Sequence, residues 1–208
     1  MCTPSRNFAR FITGGSENLM SIKVYIDQGH NPRDFNTGAE GNGLFEQDIT
    51  YNVGKLLFDL FSSNSEFEPK LSRPSEDTVL GTSNNTSVTR RVTLANEWGA
   101  DIFLSLHTNA SVNPAATGCE TLVYSRASEV AFDLAGDIVD RLSLVTGLRN
   151  RGVVERPGLY VLRRTKMPAV LVEMGFITNP YDAALMNDSP WLFARGIYDG
   201  TLLYYGML

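Results

Sequence analysis

The chain contains two histidines, and each stands at the end of an apolar, β-branched run. His30 closes Lys23-Val24-Tyr25-Ile26-Asp27-Gln28-Gly29, and His107 follows Ile102-Phe103-Leu104-Ser105-Leu106. Glu173 occupies the same kind of position after Ala169-Val170-Leu171-Val172. Imidazole is a common metal ligand and a proton carrier near neutral pH, and a carboxylate is a ready base. In an open α/β sheet, groups presented at the carboxyl ends of strands gather where ligands bind. Two readings of the imidazoles stay open on these grounds: a metal site, or two structural side chains hydrogen-bonded at strand ends. Glu46 opens a helical segment 16 residues after His30 (46 minus 30). An acid there is also favoured by the helix dipole, and Asp48, two positions on, is a rival ligand.

The elements that must position these residues alternate short β-branched runs with longer helix-period segments from Ile22 onward, the pattern of βα units on a largely parallel sheet. The expected fold is a single α/β domain: a twisted, mostly parallel sheet with helices on both faces. Lys23–Asp27, Phe67–Arg73, Ile102–Leu106, the run through Cys119, Gly158–Leu162 and Ala169–Val172 read as strands. Helices are expected from Glu46 to about Phe61, from a cap at Thr86 or Ser87 to Gly99, from Ser128 to Gly147, and from Trp191 to Tyr204. In the third helix Val130, Leu134, Ile138, Leu142 and Val145 form one stripe, read as core. Residues 1–20 read as a flexible tail, with the catalytic domain spanning 21–208.

At 208 residues, with 43% hydrophobic and 20% charged side chains, the chain suits one folded domain. A formal charge of -5 excludes a broad electrostatic attraction to nucleic acid. The pairs Arg90-Arg91 and Arg163-Arg164 read as solvated faces or ion-pair partners. With Cys2 and Cys119 alone there is no disulfide framework, and Cys119 reads as a buried thiol rather than a nucleophile. No run approaches the ~20 apolar residues of a membrane span, and no apolar leader is visible at the N-terminus.

Four blocks, in order, resemble the zinc N-acetylmuramoyl-L-alanine amidases of the amidase-3 type, a family of autolysins, sporulation amidases and phage endolysins. They are Val24-Tyr25-Ile26-Asp27-Gln28-Gly29-His30; Thr37-Gly38-Ala39 leading to Glu46; Ser105-Leu106-His107-Thr108-Asn109; and Pro168-Ala169-Val170-Leu171-Val172-Glu173-Met174-Gly175-Phe176-Ile177-Thr178-Asn179. The resemblance implies Zn2+ held by His30, Glu46 and His107, with Glu173 as general base. It also implies that Asn109, Glu120 and Arg163 line the substrate cleft. The expected reaction is hydrolysis of the amide between N-acetylmuramic acid and L-alanine in peptidoglycan, outside the cytoplasm. A zinc peptidase cutting within stem peptides is the rival enzyme, and a wall-binding module with a silent site is the non-enzymatic one. A bland reading of Glu173 makes it an ion-pair partner of Arg163 or Arg164. Two departures stand out: Asn31-Pro32 follows His30 where the family has glycine, and Gln28 replaces a common proline. Only 12 residues lie between His107 and Glu120 (120 minus 107, minus one), too few for a long inserted helix over the cleft.

Overall fold

The computed structural model describes residues 21–208; the expected tail, residues 1–20, lies outside them. Strands β1 (Ile22–Gln28), β4 (Phe67–Leu71), β5 (Ile102–Asn109), β6 (Cys119–Val123), β7 (Asn150–Glu155) and β8 (Ala169–Phe176) form one sheet in the order β4-β1-β5-β8-β6-β7. The pairs β1–β4, β1–β5, β5–β8 and β6–β7 are parallel, and β6 runs antiparallel to β8. A small hairpin, β2 (Glu40–Gly41) with β3 (Leu44–Phe45), precedes the first helix.

Helices cover both faces, as the βα alternation requires. Side chains on a strand alternate between faces, so each strand feeds two cores. Val24, Ile26, Leu104, Val170 and Val172 join a large core with α1 (Glu46–Ser62), α3 (Glu129–Thr146) and α6 (Pro190–Tyr204). Tyr25, Phe103, Leu122 and Leu171 join a smaller one with α2 (Asn84–Trp98) and α4 (Tyr160–Arg164). The polar strand-end residues Asp27, Ser105, His107 and Glu173 belong to the sheet face of the smaller core.

Several local expectations need correction. Gly158–Leu162 is not a strand: Tyr160–Arg164 is helical, and burying Val161 and Leu162 against α2 and β8 overrides the β preference of Tyr160 and Val161. The strand of this region is β7, whose exposed Asn150, Arg151 and Glu155 are an edge-strand composition that hides hydrophobic alternation. Helix α2 starts earlier than expected, because Ser83 is the N-cap and Thr86 completes a capping box with it. Val130 is 48% exposed, so it lies off the buried stripe of α3. Helix α5 (Pro180–Asp188), capped by the Asn179 side chain, was not expected.

Helices α3 and α6 approach each other closely at two glycines. A Cβ on Gly200 would lie 2.4 Å from Ile138 Cα, and one on Gly196 2.7 Å from Leu142 Cα. Alanine favours an exposed helix by up to about 1 kcal/mol over glycine, but here backbone atoms block it. Gly200→Ala is therefore expected to destabilise the protein by about 1–3 kcal/mol, measured by urea unfolding.

Candidate active site

The register of the central strands brings the strand-end residues together. His107 on β5 lies directly beside Glu173 on β8, and Glu120 on β6 lies beside Glu173 on the other flank. Asp27, Ser105, His107, Glu173 and Glu120 all fall on the face of the smaller core.

Glu46, in the first turn of α1, reaches over from the helical layer to meet both histidines. Its Oε1 is 3.1 Å from His30 Nε2 and 3.1 Å from His107 Nδ1, and the two nitrogens are 3.1 Å apart. Neighbouring ligands around a tetrahedral ion bonded at ~2.0–2.1 Å are separated by roughly 3.3 Å, so the donor triangle fits such an ion. Among the described residues these three side chains could hold a metal ion, and the rival Asp48 is not part of the group. Backbone fixes the carboxylate: Thr108 N–H donates to Oε1 (2.9 Å) and Ala39 N–H to Oε2 (2.7 Å). Burial opposes its charge. The hydrogen bonds and charges of His107 and His30 outweigh that and hold its pKa well below the usual carboxylate range.

Two glycines press bare backbone against the donors. A Cβ on Gly29 would sit 2.7 Å from the His107 ring, and one on Gly38, which has φ +86°, would sit 2.7 Å from Glu46 Oε2. His30 itself has φ +68°, a left-handed conformation unusual outside glycine. Its carbonyl oxygen is held by Arg91.

The departures around His30 also have partners. Asn31 is buried, and its amide exchanges two hydrogen bonds with the Leu80 backbone. Gln28 Oε1 accepts from Arg73 N–H, and Gln28 N–H donates to Ser72 Oγ. Both side chains stitch the turn to the 72–80 loop.

Among the described residues, Glu173 Oε2 is sealed from solvent and has no hydrogen-bond partner. Burial, and then the charges of Glu46 and Glu120, push its pKa up to about 8, with Arg156 opposing. Among the described residues, neither Arg163 nor Arg164 forms an ion pair with Glu173. Asn109 Nδ2 donates to Glu120 Oε1 (3.1 Å), and Arg151 Nε donates to Glu120 Oε2 (3.0 Å), making a polar wall beside Glu173. Arg163 stands apart, exposed on α4, with no side-chain hydrogen bond or ion pair to the cluster among the described residues.

Sequence reasoning missed Arg151. Of the two readings of Arg91, a solvated face or an ion-pair partner, the second holds: it pairs with Asp27. Its burial, at 2% exposed, was not expected. Cys119 is a buried free thiol, as expected, and burial pushes its pKa up to about 12. Residues 110–118 form an irregular loop with no helix. No helix among the described residues is long and apolar enough to cross a membrane.

Comparison with known proteins adds the chain's kinship. The amidase-3 family model, described as N-acetylmuramoyl-L-alanine amidase, matches residues 24–202. N-acetylmuramoyl-L-alanine amidase LytC of Bacillus subtilis (strain 168) is 34% identical over 97% of this chain, which spans 42% of that protein. N-acetylmuramoyl-L-alanine amidase CwlM of Bacillus licheniformis is 35% identical over 86% of this chain and 67% of its own length. The crystal structure of the N-acetylmuramoyl-L-alanine amidase from Clostridium difficile 630 superposes with a TM-score of 0.79 at 31% identity, covering 88% of this chain and 96% of that one. Sequence and fold agree: the chain belongs to the amidase-3 family of N-acetylmuramoyl-L-alanine amidases.

Proposed function

We propose that this protein is a zinc-dependent N-acetylmuramoyl-L-alanine amidase that frees stem peptides from peptidoglycan glycan strands, acting outside the cytoplasm. The observation that carries the reading is the 3.1 Å triangle of His30 Nε2, Glu46 Oε1 and His107 Nδ1 with Glu173 in the adjacent register. Family membership supports the substrate.

Two imidazoles and one carboxylate are the donor set of a catalytic zinc site with an open fourth position. When bound, the ion supplies Lewis acidity that polarises the scissile carbonyl and makes water a stronger acid. Glu173 does the proton work. Its carboxylate takes the proton of the attacking water and returns it to the departing alanine nitrogen. A stronger base takes the water proton more readily, and burial of Glu173 beside Glu46 and Glu120 raises its proton affinity in the metal-free protein. Asn109, Glu120 and Arg151 form the wall of the cleft that meets the substrate, while Arg163, exposed on α4, is proposed only as an outer contact. The short 110–118 loop favours a cleft open without an activator.

The deciding experiment is mass spectrometry of muropeptides released from purified cell walls, with and without a chelator. Intact stem peptides with a new free amine on L-alanine are expected, and release should stop with the chelator. Shortened peptides would instead establish the peptidase.

Glu173→Gln is expected to retain stoichiometric zinc and lose about 10²–10⁴-fold in turnover; unchanged turnover would remove Glu173 as the base. His107→Ala should fail to hold stoichiometric zinc in elemental analysis. A sign test follows from the raised pKa. A carboxyl group that titrates higher in the folded than the unfolded state costs stability as pH climbs through the window from its ordinary value to about 8. Metal-free Glu173→Gln should therefore melt above metal-free wild type at pH 8, with the gap closing near pH 4. A gap of the same size at both values would show that the carboxyl's charge is not its source.

A further inference from the structure

We propose that Arg91 is a positioning residue for the metal site, locking the His30 turn in the conformation that presents Nε2 to the ion. The proposal rests on the zinc reading above.

Arg91 projects from α2 into the sheet edge and is 2% exposed. Its Nη1 donates to Asp27 Oδ1 at 2.6 Å and to the Gln28 carbonyl, with Ser72 Oγ at 3.5 Å. Its Nη2 donates to the His30 carbonyl and, at 3.3 Å, to Asn31 Oδ1. One planar fork thus gathers acceptors from Asp27, Gln28, His30 and Asn31. These residues form the end of β1 and the turn that follows.

Each acceptor needs this donor for a physical reason. The Asp27 carboxylate is 1% exposed, and a buried charge must be paired. Burial works against its ionisation, while Arg91 and the Ser105 hydroxyl hold its pKa below the usual value. The carbonyls of Gln28 and His30 leave the sheet where β1 ends. Gln28 is still paired along β1–β5, but His30 lies past the last strand pair. Left-handed backbone at a residue with a Cβ costs free energy and persists only where its surroundings hold it. The Arg91 fork supplies that hold at the residue's own carbonyl, while Asn31 anchors the next residue to Leu80. With φ fixed at +68°, the imidazole lies against Gly38 and meets Glu46.

A lysine has the charge but not the fork. It can neutralise Asp27, yet it cannot span the carbonyls of Gln28 and His30 with two parallel N–H bonds. Charge pairing and turn locking are separable in this way.

The test compares zinc affinity, by chelator competition, and the visible spectrum of the cobalt(II)-loaded protein in four forms. These are wild type, Arg91→Lys, the double variant Asp27→Asn/Arg91→Met, and Val92→Ala. The double variant removes both buried charges together and carries the test if Arg91→Lys fails to fold. Val92→Ala deletes a buried side chain on the same helix without touching the turn. Both Arg91 variants are expected to bind zinc about 10–100-fold more weakly, the range for loss of an outer partner of a ligand, and to change the cobalt spectrum. Val92→Ala should match wild type in both readouts despite a lower melting temperature.

Folded Arg91 variants with wild-type zinc affinity and cobalt spectrum would overturn the proposal. So would an equal loss in Val92→Ala, because affinity would then follow stability alone. Absence of zinc binding by the wild type would instead overturn the metal reading itself.

Discussion

A buried carboxylate must be compensated, and the Glu46 side chain organises the site around that requirement. With 3% of its surface exposed, it draws two imidazoles and two backbone N–H groups to its oxygens. It stands in the first turn of α1, where the helix dipole favours negative charge. Each neighbour comes from a different part of the chain: the β1 turn, the loop before β2, and the end of β5. Helix α1 can deliver the carboxylate there only because the large core presses it against β1, β4 and β5. The hydrophobic layer therefore acts on chemistry by fixing where one charge sits.

The same logic separates the two carboxylates. Glu46 is surrounded by donors, which stabilise its ionised form. Glu173, one strand away, meets burial and two acidic neighbours, which favour its protonated form. Groups of one chemical type are pushed in opposite directions by their surroundings.

Much of this was legible in the sequence, and the gaps have physical causes. His30, His107 and Glu173 could be placed because each ends a run whose apolar pattern is set by burial, and strand ends share one edge of a parallel sheet. Glu46 needed the resemblance, since a first-turn acid has a sufficient local explanation. Arg91 was unreadable beside Arg90: which of two adjacent helical arginines turns inward depends on how α2 sits against β1, a tertiary fact. Tyr160–Arg164 misled for the opposite reason, its β-favouring residues being held in a helix by the smaller core. β7 escaped because edge strands carry charge. The antiparallel run of β6 was likewise invisible, although it places Glu120 beside Glu173.

That reversed strand shapes the roof of the cleft. Since β5 and β6 flank β8 and meet the same edge, the chain between them must arch over the tip of β8. Hydrogen bonds from Ser111 N–H to Thr178 and from Asn179 to the Pro114 carbonyl pin the arch down. The space above Glu173 is thus governed by the length of a single connection that contributes no atom to the triangle of His30, Glu46 and His107. Adding or removing residues there would change that space and leave the triangle as it is.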